Sequence, residues 1–196
     1  MAKSKKQAFD KDAFLNKAFE VIETKGYQSL SPDLILKDMG ISAKDIPFSL
    51  SSKEDVMVLF EEHITDQLIQ IAPELFDGSE TTKEKLFELM MERFDLMEPY
   101  KTGLHEIFKT LPMNPILVLK SIPHFRDMVR SILQLADIDI SCPTSEIKII
   151  GFTYIYLRSC KNWFEDESVD KGKTMAALDK HLTFAEQIAN SLFKFG

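Results

Sequence analysis

Apolar residues recur along this chain at helical spacing. In residues 10–25, Phe14, Ala18, Val21 and Ile22 fall at i, i+4, i+7 and i+8. That spacing predicts an amphipathic helix, with Asp10 or Asp12 near its start and Gly26 at its end. Ser31 then precedes Pro32, a cap followed by proline at the first helical position. The helix they open is expected to bury Leu34, Ile35 and Met39. It should stop at Gly40, where a side chain would resist the left-handed backbone. Ser42 is expected to cap a short third helix. Ser51, with Glu54 three residues on, reads as a capping box. It opens a fourth helix through Val56, Leu59, Phe60, Ile64 and Leu68 to about Ile71.

The same spacing continues. Residues 82–97 put Leu86, Leu89, Met90, Phe94 and Met97 on one stripe, and residues 100–111 turn Leu104, Ile107, Phe108 and Leu111 inward. A seventh helix follows over 115–136 and is expected to kink or split at Pro123. Within 144–165, Ile149 to Leu157 alone would also fit a buried strand. The length of the whole segment selects a helix buried on two faces. In the last helix, about 170–194, Met175, Leu178, Leu182, Ala185, Ala189 and Leu192 form a seam for other helices. The expected fold is all-α with about nine helices. Residues 1–50 form a three-helix head with a helix-turn-helix, and residues 51–196 form a larger helical body.

Charge changes this picture in one respect. The net charge is −7. Residues 1–50 hold 8 Lys/Arg against 7 Asp/Glu, a balance of +1, and residues 51–196 hold the other 16 against 24, a balance of −8. An acidic total argues against a general nucleic-acid coat and leaves room for a local patch on the head. Lys3, Lys5 and Lys6 suit either an arm that follows a phosphate backbone or a solvated tail.

Other chemistry is thin. Cys142 and Cys160 form no C-x-x-C pair, and the first 30 residues lack a continuous apolar segment of the leader type. Two reduced thiols in the cytoplasm are expected. No apolar run approaches the roughly 18–20 residues that span a bilayer. His63, His105, His124 and His181 are scattered, and no G-x-S-x-G motif occurs. No metal site, cofactor or enzymatic activity is expected.

Gly26-Tyr27, Ser31, Ile35, Gly40-Ile41-Ser42 and Ser52-Lys53-Glu54 fall in register, without gaps, with a known pattern. Residues 14–60 thereby resemble the N-terminal domain of TetR-family transcriptional regulators. The chain departs from that pattern at Leu36 and Met39, where small residues are usual. It departs again at Pro47-Phe48-Ser49-Leu50, where an aromatic-His-Phe segment is usual. Pro47 lacks an N–H and pushes Ile46 from helical angles, so the third helix is expected to be one turn, Ser42 to Asp45. A second stretch, Trp163 to Asp170 and then Thr174 to Asp179, resembles alphaproteobacterial TetR-like proteins. It also resembles ubiquinone-biosynthesis accessory proteins of the same fold, which bind lipids.

The resemblance implies a dimeric regulator that offers the third helix to a DNA major groove. Ser42, Ala43, Lys44 and Asp45 would meet the base edges. Ser31 and Lys53 would meet phosphate at helix N-termini. Phe94, Met97, Tyr100, Phe108, Phe125, Met128, Phe152 and Tyr156 could line a pocket for an apolar small molecule or lipid, or be plain core. The expected partners are double-stranded operator DNA, such a ligand, and a second copy of the chain through the last two helices. The alternative is a lipid-binding accessory protein that keeps the fold and has lost the DNA surface.

Overall fold

The structure, a computed structural model, describes residues 9–42, 44, 46, 48–143 and 145–193, with side chains as far as Ser191. Lys3, Lys5 and Lys6 of the expected basic arm lie outside the described residues, as does the side chain of Leu192. Among the described residues the chain has no strand. Its helices are α1 (Lys11–Lys25), α2 (Pro32–Asp38), α3 (Lys53–Ile71), α4 (Thr82–Met97), α5 (Lys101–Thr110), α6 (Pro115–Leu135), α7 (Ser145–Glu165) and α8 (Gly172–Phe193). Short 3₁₀ turns precede α2, α5 and α6 and follow α3. Eight α-helices thus stand where about nine were expected. The region between α2 and α3 holds a single 3₁₀ position, Lys44, among its described residues.

The chain forms two compact units. One is Met1–His63 with Pro99–Ile122, and the other is Ile64–Glu98 with Pro123–Gly196. Residues 115–135 are one continuous helix, not two, and the unit boundary in α6 falls at Pro123.

The first unit is built on α1. Asp10 caps it, accepting from the Ala13 amide at 3.1 Å. Phe14, Leu15, Ala18, Phe19 and Ile22 are buried. Phe19, Phe60 and Tyr100 form an aromatic triangle with centroids 4.8–5.2 Å apart. Gly103 lets α5 approach α1, because a β-carbon there would lie 2.7 Å from Phe19 Cδ1. Across α1 and α3, His63 Nε2 and Asp12 Oδ1 are 2.7 Å apart. Phe108, expected inward, is exposed on α5, and Leu34, also expected inward, is exposed on α2. Each sits on a short helix whose buried side is already filled, by Ile107 on α5 and by Ile35 and Leu36 on α2.

The second unit packs α4, α7 and α8 with the second half of α6. Thr81 and Glu84 form the capping box of α4, with Thr81 N–H donating to Glu84 Oε2 at 2.7 Å. Trp163 is fully buried, stacks on Phe94 at 5.4 Å and donates its indole N–H to Glu98 at 2.7 Å. Leu178 and Leu182 of the predicted seam are buried, whereas Met175 is exposed.

The acidic stretch before α8 is anchored by the buried Asp166. Its carboxylate accepts from the Ser168 amide and hydroxyl through Oδ1, and from the Thr174 amide (2.7 Å) and hydroxyl (2.8 Å) through Oδ2. Burial pushes the Asp166 pKa up, and these four donors outweigh it, so the net shift is below the ordinary range. A depressed folded-state pKa contributes stability above the unfolded value of about 3.9 and loses it as pH falls further. Asp166→Ala should cost about 2–4 kcal/mol in urea unfolding at neutral pH, by stranding buried donors. Asp166→Asn should flatten the loss of stability that the natural chain shows below about pH 4.

Candidate nucleic-acid interface

Two backbone hydrogen bonds close the turn after α2. Ile41 N–H donates to Leu36 O at 2.9 Å and Gly40 N–H to Lys37 O at 3.1 Å, with Gly40 at φ +69°. This double bond is the Schellman arrangement, and it requires the left-handed residue that glycine supplies. It sends the chain away from α2 and presents Ser42 and Lys44 to solvent, both exposed. Ser42 Oγ accepts from the Lys44 amide at 3.4 Å. Beyond them Ile46 and Leu50 are buried, and the half-buried Phe48 packs edge-on against Phe9 at 5.4 Å. Ala43, Asp45 and Pro47, on which the expected third helix depends, lie outside the described residues.

The start of α3 differs from the expected capping box by one residue. Ser52 and Asp55 form it, not Ser51 and Glu54. Asp55 Oδ2 accepts from the Ser52 amide (2.9 Å), the Ser51 amide (3.0 Å) and the Ser51 hydroxyl (2.9 Å). The Asp55 amide returns a bond to Ser52 Oγ at 3.3 Å. Lys120 of α6 completes the cluster, reaching Asp55 Oδ1 at 2.8 Å and Ser52 Oγ at 3.1 Å. Burial alone would raise the Asp55 pKa, and the bonds from Lys120, Ser51 and Ser52 hold it well below the usual carboxylate range. The Ser51 and Ser52 amides just ahead of this helix are therefore spent on a carboxylate of the same chain, whose charge disfavours a phosphate there.

Lys53 is similarly engaged. Its ammonium donates to Gln28 Oε1 and lies 5.1 Å from the centroid of the Tyr27 ring. Gln28 in turn donates to Asn114 Oδ1 at 3.0 Å. The Tyr27 hydroxyl is buried and has no hydrogen-bond partner among the described residues. Burial, and then the charges of Glu54 and Asp55, push its pKa up. Ser31 holds the cap position of α2 without a side-chain bond. It lines a surface groove of about 330 Å³ between α1 and α2, bridged by the Lys17–Asp38 ion pair.

Of the expected DNA contacts, Ser42 and Lys44 stand together at the surface. Ser31 sits apart, in the α1–α2 groove, and the half-exposed Lys53 is turned toward Tyr27 and Gln28. The expected pocket residues are divided between the two units. Tyr100 belongs to the aromatic triangle of the first unit, and Phe108 is exposed there. Phe94, Met97, Met128, Phe152 and Tyr156 are buried in the second unit, where Phe125 packs edge-on to Tyr156 at 5.3 Å. Sequence reasoning missed Arg93, which is fully buried and donates through Nε to Tyr156 Oη at 2.9 Å and through Nη1 to Thr65 at 3.3 Å. Its position on the apolar stripe of α4, four residues after Leu89 and three after Met90, was the available signal.

No family model and no curated protein matches the sequence. Among solved structures, the fold is similar to the TetR transcriptional regulator from Nitrosomonas europaea ATCC 19718, with a TM-score of 0.69 and 18% identity. The match covers 90% of this chain and 98% of that one. The likeness is one of fold: nearly the whole chain follows the TetR-regulator architecture. No helix among the described residues is long and apolar enough to cross a membrane.

Lys53→Ala should lower stability by about 1 kcal/mol in thermal or urea unfolding, through loss of the ring contact and the Gln28 bond. Lys44→Ala, at an exposed position, should change it by less than about 0.5 kcal/mol.

Proposed function

We propose that this chain is a TetR-like transcriptional regulator that binds double-stranded DNA through its head, residues 1–50, as a homodimer paired through the body, residues 51–196. The observation that carries this reading is fold likeness to a transcriptional regulator over nearly the full length of both chains. The closed turn at Gly40, with Ser42 and Lys44 exposed behind it, supports it locally. Lys44 is the residue placed for a guanine edge or a phosphate. With Lys53 and the Ser51 and Ser52 amides engaged internally, phosphate contacts are few, so the electrostatic part of the affinity is modest and its salt slope shallow. An apolar ligand held among the aromatic and methionine side chains of the second unit would be the effector, acting by favouring one spacing of the two heads.

The dimer reading rests on exposed apolar faces. On α7, Ile147, Ile150, Tyr154 and Leu157 are exposed at spacings of three, four and three. Met175, Phe184 and Ile188 are exposed on α8. Two such helices from each copy suit a four-helix interface about a two-fold axis.

A second reading, a lipid-binding accessory protein without DNA affinity, is favoured by one observation: Asp55 occupies the helix terminus that would otherwise receive phosphate. Gel shifts at low salt on DNA upstream of the protein's own coding sequence separate the two. The regulator reading expects a shift that Lys44→Ala weakens about tenfold, and no shift at all selects the second. Sedimentation velocity should give a dimer, and Ile150→Asp combined with Phe184→Asp should give a monomer.

A further inference from the structure

The first half of α6 turns its apolar side to water. Val118, Ile122, Pro115, Leu119 and Ile116 fill one arc of about 160° around the helix at 3.6 residues per turn. All five are exposed, with Ile116 at 63%, Leu119 at 72% and Ile122 at 54%. Met113, in the 3₁₀ turn just before, is 74% exposed. Leu117, on the opposite side, is buried. A surface helix of a globular domain ordinarily carries the reverse pattern.

Two observations decide what covers this face. The first is charge. Residues 107–122, IFKTLPMNPILVLKSI, contain no Asp or Glu, in a chain that has 31. Their charges are Lys109 and Lys120, and Lys120 is held by Asp55 at 2.8 Å, which leaves Lys109 as the cation at the edge of the face. Lys109 pairs only with the exposed Glu106, at 3.0 Å, a contact readily exchanged for another anion. The second is area. The exposed apolar side chains offer on the order of 500 Å², near the upper end of what a monomer shows. That falls short of the ~800 Å² per partner of a stable protein interface.

We propose that the face made by Met113, Ile116, Val118, Leu119 and Ile122 docks shallowly on an anionic lipid surface. The aliphatic side chains enter the acyl boundary, and Lys109 at the edge of the face exchanges Glu106 for a lipid phosphate. The segment lies in the interface and does not span it. The inference does not rest on DNA binding, since none of these five residues is among the expected DNA contacts.

The test is flotation of the full-length protein with phosphatidylcholine vesicles containing about one-third phosphatidylglycerol, and with phosphatidylcholine alone. The natural chain should float with the mixed vesicles and remain largely unbound with the neutral ones. Ile116→Ser combined with Leu119→Ser should lower the bound fraction about tenfold with an unchanged melting temperature. Met113→Ser is a second variant with the same expected direction. Lys109→Gln should reduce the preference for anionic vesicles about threefold. Failure of the natural chain to float, or equal binding by the serine variants, would overturn the proposal. So would a change of oligomeric state in those variants without vesicle binding, which would assign the face to a second copy.

Discussion

A helix begins with amide groups that have no partner inside it, and something must take them up. At four helices of this chain a carboxylate does so: Asp10 accepts from the Ala13 amide at α1, Asp55 and Glu84 from the amides three residues before them at α3 and α4, and Asp166 from the Thr174 amide eight residues on, in the first turn of α8. The Asp55 cluster has the widest consequence. It fixes the start of α3, ties that start to α6 through Lys120, and sets a carboxylate where a phosphate would otherwise approach. A device that stabilises the head thus limits what the head can grip.

Lys53 obeys the same logic. A cation at the first position of a helix faces the positive end of the helix dipole and is disfavoured there. The Tyr27 ring and the Gln28 carbonyl compensate by drawing the ammonium sideways. The residue therefore braces the α1–α2 turn against α3. Lys44, three residues beyond Ile41 and free of any such neighbouring helix start, carries the local case for nucleic-acid contact.

Water-facing apolar surface is the second theme. The faces on α6, α7 and α8 each expose side chains at helical spacing, while the cores of both units are already filled by other residues of the same helices. A helix with apolar residues all round reads as buried in sequence. Here that surplus marks surfaces that await an occupant outside the chain. The two kinds differ in charge: α6 is edged by lysines over a stretch without acids, whereas α7 and α8 mix charges of both signs.

The periodicity of the sequence determined the all-helical class, the bounds of α1, α2 and α3–α5 to within a residue or two, and the stop at Gly40. These depend on local capping and spacing, which neighbours in the chain dictate. Tertiary structure decided the rest. Ser52 rather than Ser51 caps α3 because Asp55, not Glu54, can also meet Lys120, a residue 65 positions away. Leu34 and Phe108 face water because other side chains of the same short helices already fill their cores. Arg93 and Asp166 are buried because Tyr156, Thr65, Ser168 and Thr174 converge on them. Hydrophobic spacing tells which residues prefer burial, but a polar group can be buried only where distant partners arrive, and that convergence exists only in the folded chain.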